Sequence, residues 1–136
     1  MNKNNKEQLL QINIARWLLR IGLAFVYGYA SVEIYFNPGN FLKYIPPYMQ
    51  SIIPLHLFLL LFAVFEIILV IWFLSGKHTE YGAAISALVM VCIIVPNLIF
   101  FSVLFRNVAI VFASLALVAL DYHHRNKKSN LKKNRR

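Results

Sequence analysis

Formal charge is scarce through the middle of this chain. From Ser51 to Asp121 the only charged side chains are Glu66, Lys77, Glu80, Arg106 and Asp121. The rest is mostly Leu, Ile, Val, Phe and Ala, more apolar surface than a soluble core of this length can hide. The scarcity argues against an ordinary water-soluble domain and makes a bilayer the expected solvent. Cysteine is almost absent. Cys92 stands alone, so no internal disulfide forms, and inside an apolar run it reads as a small packing residue. Walker A, dinucleotide-fingerprint, CxxC, CxxCH and HExxH sequences are all missing. Nucleotide, covalent-haem and thiol-exchange chemistry therefore lack support, and no catalytic residue is assigned. Metal binding is not expected either. His123 and His124 are adjacent, and neighbouring residues diverge on a helix.

Hydrophobic residues make up 60% of the 136 residues and charged ones 14%, against roughly 25% charged in soluble domains. The net charge of +9 is unevenly placed. Seven of the 14 basic residues are Arg125, Lys127, Lys128, Lys132, Lys133, Arg135 and Arg136. They form a tail rather than a basic face, so nucleic acid is not an expected partner. A basic tail beside an apolar helix sets orientation and touches anionic lipid.

Four helical spans follow from the apolar runs, because only helices or closed barrels satisfy their backbone in lipid. The first covers about 14–36. A cleaved signal peptide is the competing reading, but the apolar stretch is long and Glu33 and Tyr35 make a poor cleavage site. Residues 37–51 form an external loop, with Asn37-Pro38-Gly39-Asn40 and Pro46-Pro47 as helix breakers and aromatic residues suited to an interface. The second span covers about 52–74 and ends at a polar turn around Gly76. From Gly82 to Leu120 a single helix would be roughly 58 Å long, nearly twice the hydrocarbon thickness. A reversal is expected at Ser102–Asn107, giving helices at 82–101 and 104–121, with Pro96 kinking the third. The expected domain is thus an all-α, four-helix transmembrane bundle over 14–122. It is flanked by a cytoplasmic segment, 1–13, and a basic cytoplasmic tail, 123–136. The positive-inside rule places both termini in the cytoplasm.

Polar groups inside the spans are the candidate site. Arg20 and Glu66 fall at comparable depths on antiparallel helices. A lone carboxylate in hydrocarbon is costly, so the two form a candidate intramembrane pair, either fixing register or anchoring a ligand. Glu33, His56, Asn97 and Arg106 fall near the opposite leaflet and form a candidate polar cluster. Gly22 and Gly28 on the first helix, and Gly82, Ala83, Ala84, Ser86 and Ala87 on the third, suit close helix packing.

The ordered blocks Arg20-Ile21-Gly22-Leu23-Ala24-Phe25-Val26-Tyr27-Gly28, Asn37-Pro38-Gly39-Asn40-Phe41, Tyr44-Ile45-Pro46-Pro47 and Phe105-Arg106-Asn107-Val108-Ala109 carry a resemblance. With Glu66 in the second helix and Gly76 at its end, the chain resembles the DoxX family of small four-helix bacterial membrane proteins over about 14–122. Asn107 stands where the family often has aspartate. Ser31 and Glu33 stand where many relatives place a lysine. The family takes its name from a subunit associated with an archaeal quinol or thiosulfate oxidation system, so the resemblance implies a link to membrane redox chemistry.

The resulting expectation is an accessory or small hydrophobic-ligand-binding component. The alternatives are a membrane subunit of a quinone-linked oxidoreductase, and a structural component or small oligomeric transporter. The chain itself supplies no recognisable cofactor site. A non-covalent quinone leaves no sharp sequence signature, so its binding stays open, with any metal or flavin held by a membrane redox partner. A homo-oligomer is the other partner considered.

Overall fold

The computed structural model describes the backbone of residues 3–42, 45 and 54–133, and the side chains of 7–42, 45, 54–98 and 105–125. Helix α1 spans Lys3–Phe36 and the short α2 spans Gly39–Leu42. Helix α3 spans Leu55–Ser75, α4 spans Thr79–Ile94, a tight 3-10 turn covers Val95–Phe100, and α5 spans Phe101–Lys133. Most of the expected external loop, 43–44 and 46–51, lies outside the described residues, as does the start of the second span at 52–53.

Local chemistry sets these boundaries. Pro54 precedes α3, and the Phe58 amide donates to the Pro54 carbonyl to begin the helical ladder. Gly76 ends α3 in the left-handed conformation at φ 72°, the position where glycine avoids a β-carbon clash. His78 then takes φ 51° and leads into α4. Trp72 Nε1 donates to the Lys77 carbonyl at 3.1 Å, tying this turn back to α3.

The reversal between the last two long helices comes earlier than the expected Ser102–Asn107. Pro96 opens it, Asn97 leaves helical geometry at φ −114° and ψ 25°, and residues 102–107 are already helical. Proline removes a backbone donor, and the Asn97 side chain donates to the Ile93 carbonyl at 2.9 Å, satisfying one freed acceptor. Both terminal helices run past the expected limits. At 34 residues, α1 is roughly 51 Å long. At 33 residues, α5 is about as long. Each projects beyond the shorter α3 and α4.

The helices alternate in direction, so the start of α1 and the end of α5 lie at one end of the bundle, called here the terminal end. Helix α1 packs mainly on α3 and α4 mainly on α5, while α1 also meets α5 and α3 meets α4. Four helices are long and apolar enough to cross a membrane, at Glu7–Phe36, Leu55–Ser75, Thr79–Leu98 and Phe105–Arg125. Their outward faces are hydrophobic. Phe25 is 72% exposed, Ile71 63%, Leu88 64% and Phe112 68%. Patches of that kind all round a bundle are untenable in water and ordinary against lipid tails. Polar side chains turn inward instead: Arg20, Ser31, Glu66, Thr79, Ser86, Asn97, Ser114 and Asp121 are all buried. Cys92, expected as a packing residue, sits on an exposed position.

Candidate functional site: a polar-floored cavity in an apolar bundle

Two layers of hydrogen bonds hold the terminal half of the bundle. In the first, Arg16 on α1 pairs with Asp121 on α5, and Asp121 also accepts from the Thr79 hydroxyl at the start of α4. Arg20 donates to the Phe73 carbonyl at 2.9 Å and the Leu74 carbonyl at 3.3 Å. These belong to the last turn of α3, whose carbonyls have no partner within their own helix. The Arg20 guanidinium also lies over the Trp17 ring, 4.7 Å from its centre. Just outside this layer, Arg125 pairs with Glu80 at 2.5 Å. Glu80 lies in the first turn of α4, where a negative charge complements the helix dipole.

The second layer lies further in. The Tyr27 and Ser86 hydroxyls are 2.5 Å apart, and those of Ser86 and Ser114 are 2.9 Å apart, joining α1, α4 and α5. Thr79 and Ser86 are seven residues apart on α4, and Ser114 and Asp121 seven apart on α5. The two contacts therefore repeat with the seven-residue period of antiparallel coiled-coil packing. Small residues, Gly82, Ala83, Ser86 and Ala87, line the buried face of α4 and permit close approach. Between the two layers sit Leu23, Phe73, Ala83 and Leu117, none more than 3% exposed. They form a packed apolar septum across the bundle, of which Leu23 also borders the cavity described next.

A cavity of about 670 Å³, bordered by all four long helices, opens on the loop side of the second layer and runs along α1 past Tyr27 to Leu18 and Leu19. Its size falls in the range of small-molecule sites. Its wall is apolar, with Phe58, Phe62, Met90 and Ile110 among its residues, and Tyr27 and Glu66 border it as well. Glu66 is 2% exposed, and its Oε2 has no hydrogen-bond partner. Such an atom in an apolar bundle is costly, and it stands at a cavity wall.

The structure separates the first sequence-derived pair. Among the described residues no ion pair or hydrogen bond joins Arg20 to Glu66. Arg20 is drawn to the end of α3, seven residues beyond Glu66, roughly 10 Å along the helix axis. Arg20 does not border the cavity. The second group is partly assembled. Glu33, Asn97 and Arg106 border the cavity together with Glu66, whereas His56 is exposed and away from it. Among the described residues, no ion pair joins Glu33 to Arg106.

Gly22 also departs from expectation. It lines the cavity, and a β-carbon built there would meet nothing within 4 Å, so this glycine faces space rather than a packed neighbour. Gly28 faces Val70 and Gly82 faces Trp72, as packing glycines do. Sequence reading missed Arg16, Tyr27, Thr79, Ser86, Ser114 and Asp121. The seven-residue spacing of the hydroxyl and carboxylate residues on the last two long helices was the available signal.

Among the described residues, no group of three or more His, Cys, Asp or Glu is placed to hold a metal ion. The fold and its lipid-facing surface define a small, all-helical, multi-spanning membrane protein. No protein family, curated protein or solved structure matches the chain.

Proposed function

We propose that this protein is a DoxX-like accessory component of a bacterial inner membrane that binds a small hydrophobic ligand in the cavity between its four long helices. One observation carries the reading: the unpartnered Oε2 of buried Glu66 at the wall of a largely apolar cavity. Ligand sites in helix bundles combine apolar walls with a few convergent polar groups, and ionisable residues inside a membrane mark function more often than structure. Arg20 does not neutralise Glu66, which supports the ligand-anchor role over a register-fixing pair. Orientation with both termini in the cytoplasm rests on the basic C-terminal segment and the positive-inside rule. The same segment suits contact with anionic lipid.

The apolar septum of Leu23, Phe73, Ala83 and Leu117 weighs against a continuous water path and so against a channel. The link to membrane redox chemistry rests on the family resemblance alone, and a redox partner would have to carry the electron-transferring group.

Purification in mild detergent, followed by mass spectrometry of retained small molecules, tests the reading. The wild-type protein retains a hydrophobic compound. Glu66→Gln keeps the same thermal melting profile but loses at least about tenfold in retention, a change of 1.4 kcal/mol or more. Equal retention by both proteins, or none by the wild type, removes the ligand-anchor role.

A further inference from the structure

The cavity has a side opening along the seam between α1 and α5, besides the exposed lining residues Cys92, Pro96 and Arg106 nearer the loop end. On α1 its lining residues Leu18, Gly22, Val26 and Tyr29 recur at helical spacing, and all are exposed at the outer surface. On α5 the lining residue Ala109 is exposed in the same way. A wall residue that is also surface-exposed marks a gap in the wall. Gly22 sits in this α1 stripe with open space where a β-carbon would be. Toward the terminal end, the Arg16–Asp121–Thr79 layer and the packed Phe73, Ala83 and Leu117 fill the centre of the bundle.

Resting on the ligand-binding reading above, we propose that the ligand is a single-chain amphiphile with a hydrogen-bond-donating, non-anionic head. It enters sideways from the bilayer between α1 and α5. The head donates to Glu66 Oε2, and the chain leaves through the opening at Gly22 into the surrounding lipid. The deep end of the cavity presents an unfilled acceptor, and its complement is an amine or hydroxyl donor. A carboxylate head would bring its own charge into the apolar interior and offer Glu66 Oε2 no donor. The opening is apolar, so it suits a hydrocarbon chain and not a second polar end. Arg106 and Glu33, of opposite charge at the rim, give no net preference for an anionic head there.

The test uses the full chain in lipid nanodiscs and four probes of equal chain length: dodecylamine, dodecanol, dodecanoate and dodecane. Binding is titrated by native mass spectrometry after release from the disc. Location is read from alkylation of Cys92, the chain's sole cysteine, which borders the cavity. Dodecylamine and dodecanol bind at least tenfold more tightly than dodecanoate or dodecane and slow Cys92 alkylation. Gly22→Phe, placed where a β-carbon meets nothing within 4 Å, abolishes binding of both. Gly28→Ala, a packing site with ordinary clearance, leaves binding intact. Ala109→Phe closes the opening from the α5 side and gives the same loss should Gly22→Phe fold poorly.

Dodecane binding as tightly as dodecylamine overturns the head assignment while leaving a hydrophobic-ligand site in place. Dodecanoate binding most tightly overturns it in favour of an anion at Arg106. Unchanged binding in a folded opening variant overturns the lateral route. Failure of all four probes, where the purified protein does retain a cellular compound, overturns the amphiphile class alone. Failure of both removes the ligand-binding reading as well.

Discussion

The Arg20 guanidinium occupies the space that a β-carbon on Gly76 would need. Gly76 has two reasons to be glycine: its φ of 72° and this approach. The two are coupled, because Arg20 binds the Phe73 and Leu74 carbonyls that Gly76 terminates.

Gly76→Ala is expected to cost about 1–3 kcal/mol, from left-handed backbone strain and displacement of the guanidinium. On an Arg20→Ala background only the backbone part, about 1 kcal/mol, remains. A double-mutant cycle read by denaturation in mixed micelles checks this. Additive costs would show that Arg20 moves aside freely.

The first hydrogen-bonded layer should matter more than the second. Asp121 serves Arg16 and Thr79 together, and its side chain is 2% exposed. Asp121→Leu strands both partners and is expected to cost about 1–3 kcal/mol. Tyr27→Phe removes one hydroxyl from the Ser86 contact and is expected to cost about 0.6 kcal/mol, with about 1.7 as a ceiling. Melting temperatures of the two variants in one detergent rank them. A larger loss for Tyr27→Phe would place the main fastening in the second layer.

Topology reporters give a third prediction. Fusions after Lys6, near Thr79 and after Asn130 should all read cytoplasmic. Fusions at Asn40 and at Leu98, in the reversal opened by Pro96, should read external. A cytoplasmic signal at Leu98 would break the four-span arrangement.

The four spans were legible in the sequence because lipid leaves the backbone few options. Charges were visible as well, but not their partners. Counting depth along helices brought Arg20 near Glu66, yet it took no account of the unpaired carbonyls at the end of α3, which outcompete a carboxylate two turns away. Asp121 looked like a charge at the end of a span. Its partners Arg16 and Thr79 lie 105 and 42 residues earlier, a relation that only packing reveals. Tyr27, Ser86 and Ser114 were submerged in apolar runs. Pro96 was read as a kink within a helix, whereas with Asn97 it forms the reversal itself.

The septum of Leu23, Phe73, Ala83 and Leu117 divides this protein into regions under different selection. Below it, each polar residue answers to another helix, and a substitution endangers assembly. Gly22, beside Leu23 on α1, is a position of another kind: it borders the cavity, is exposed and has empty surroundings. A small side chain added there can reshape what the bundle holds without disturbing how it assembles. Tyr27, Leu59 and Met90 line the same cavity but also belong to the packed core, so they lack that freedom. Drift from one cargo to another therefore runs through the few wall positions that carry no packing duty.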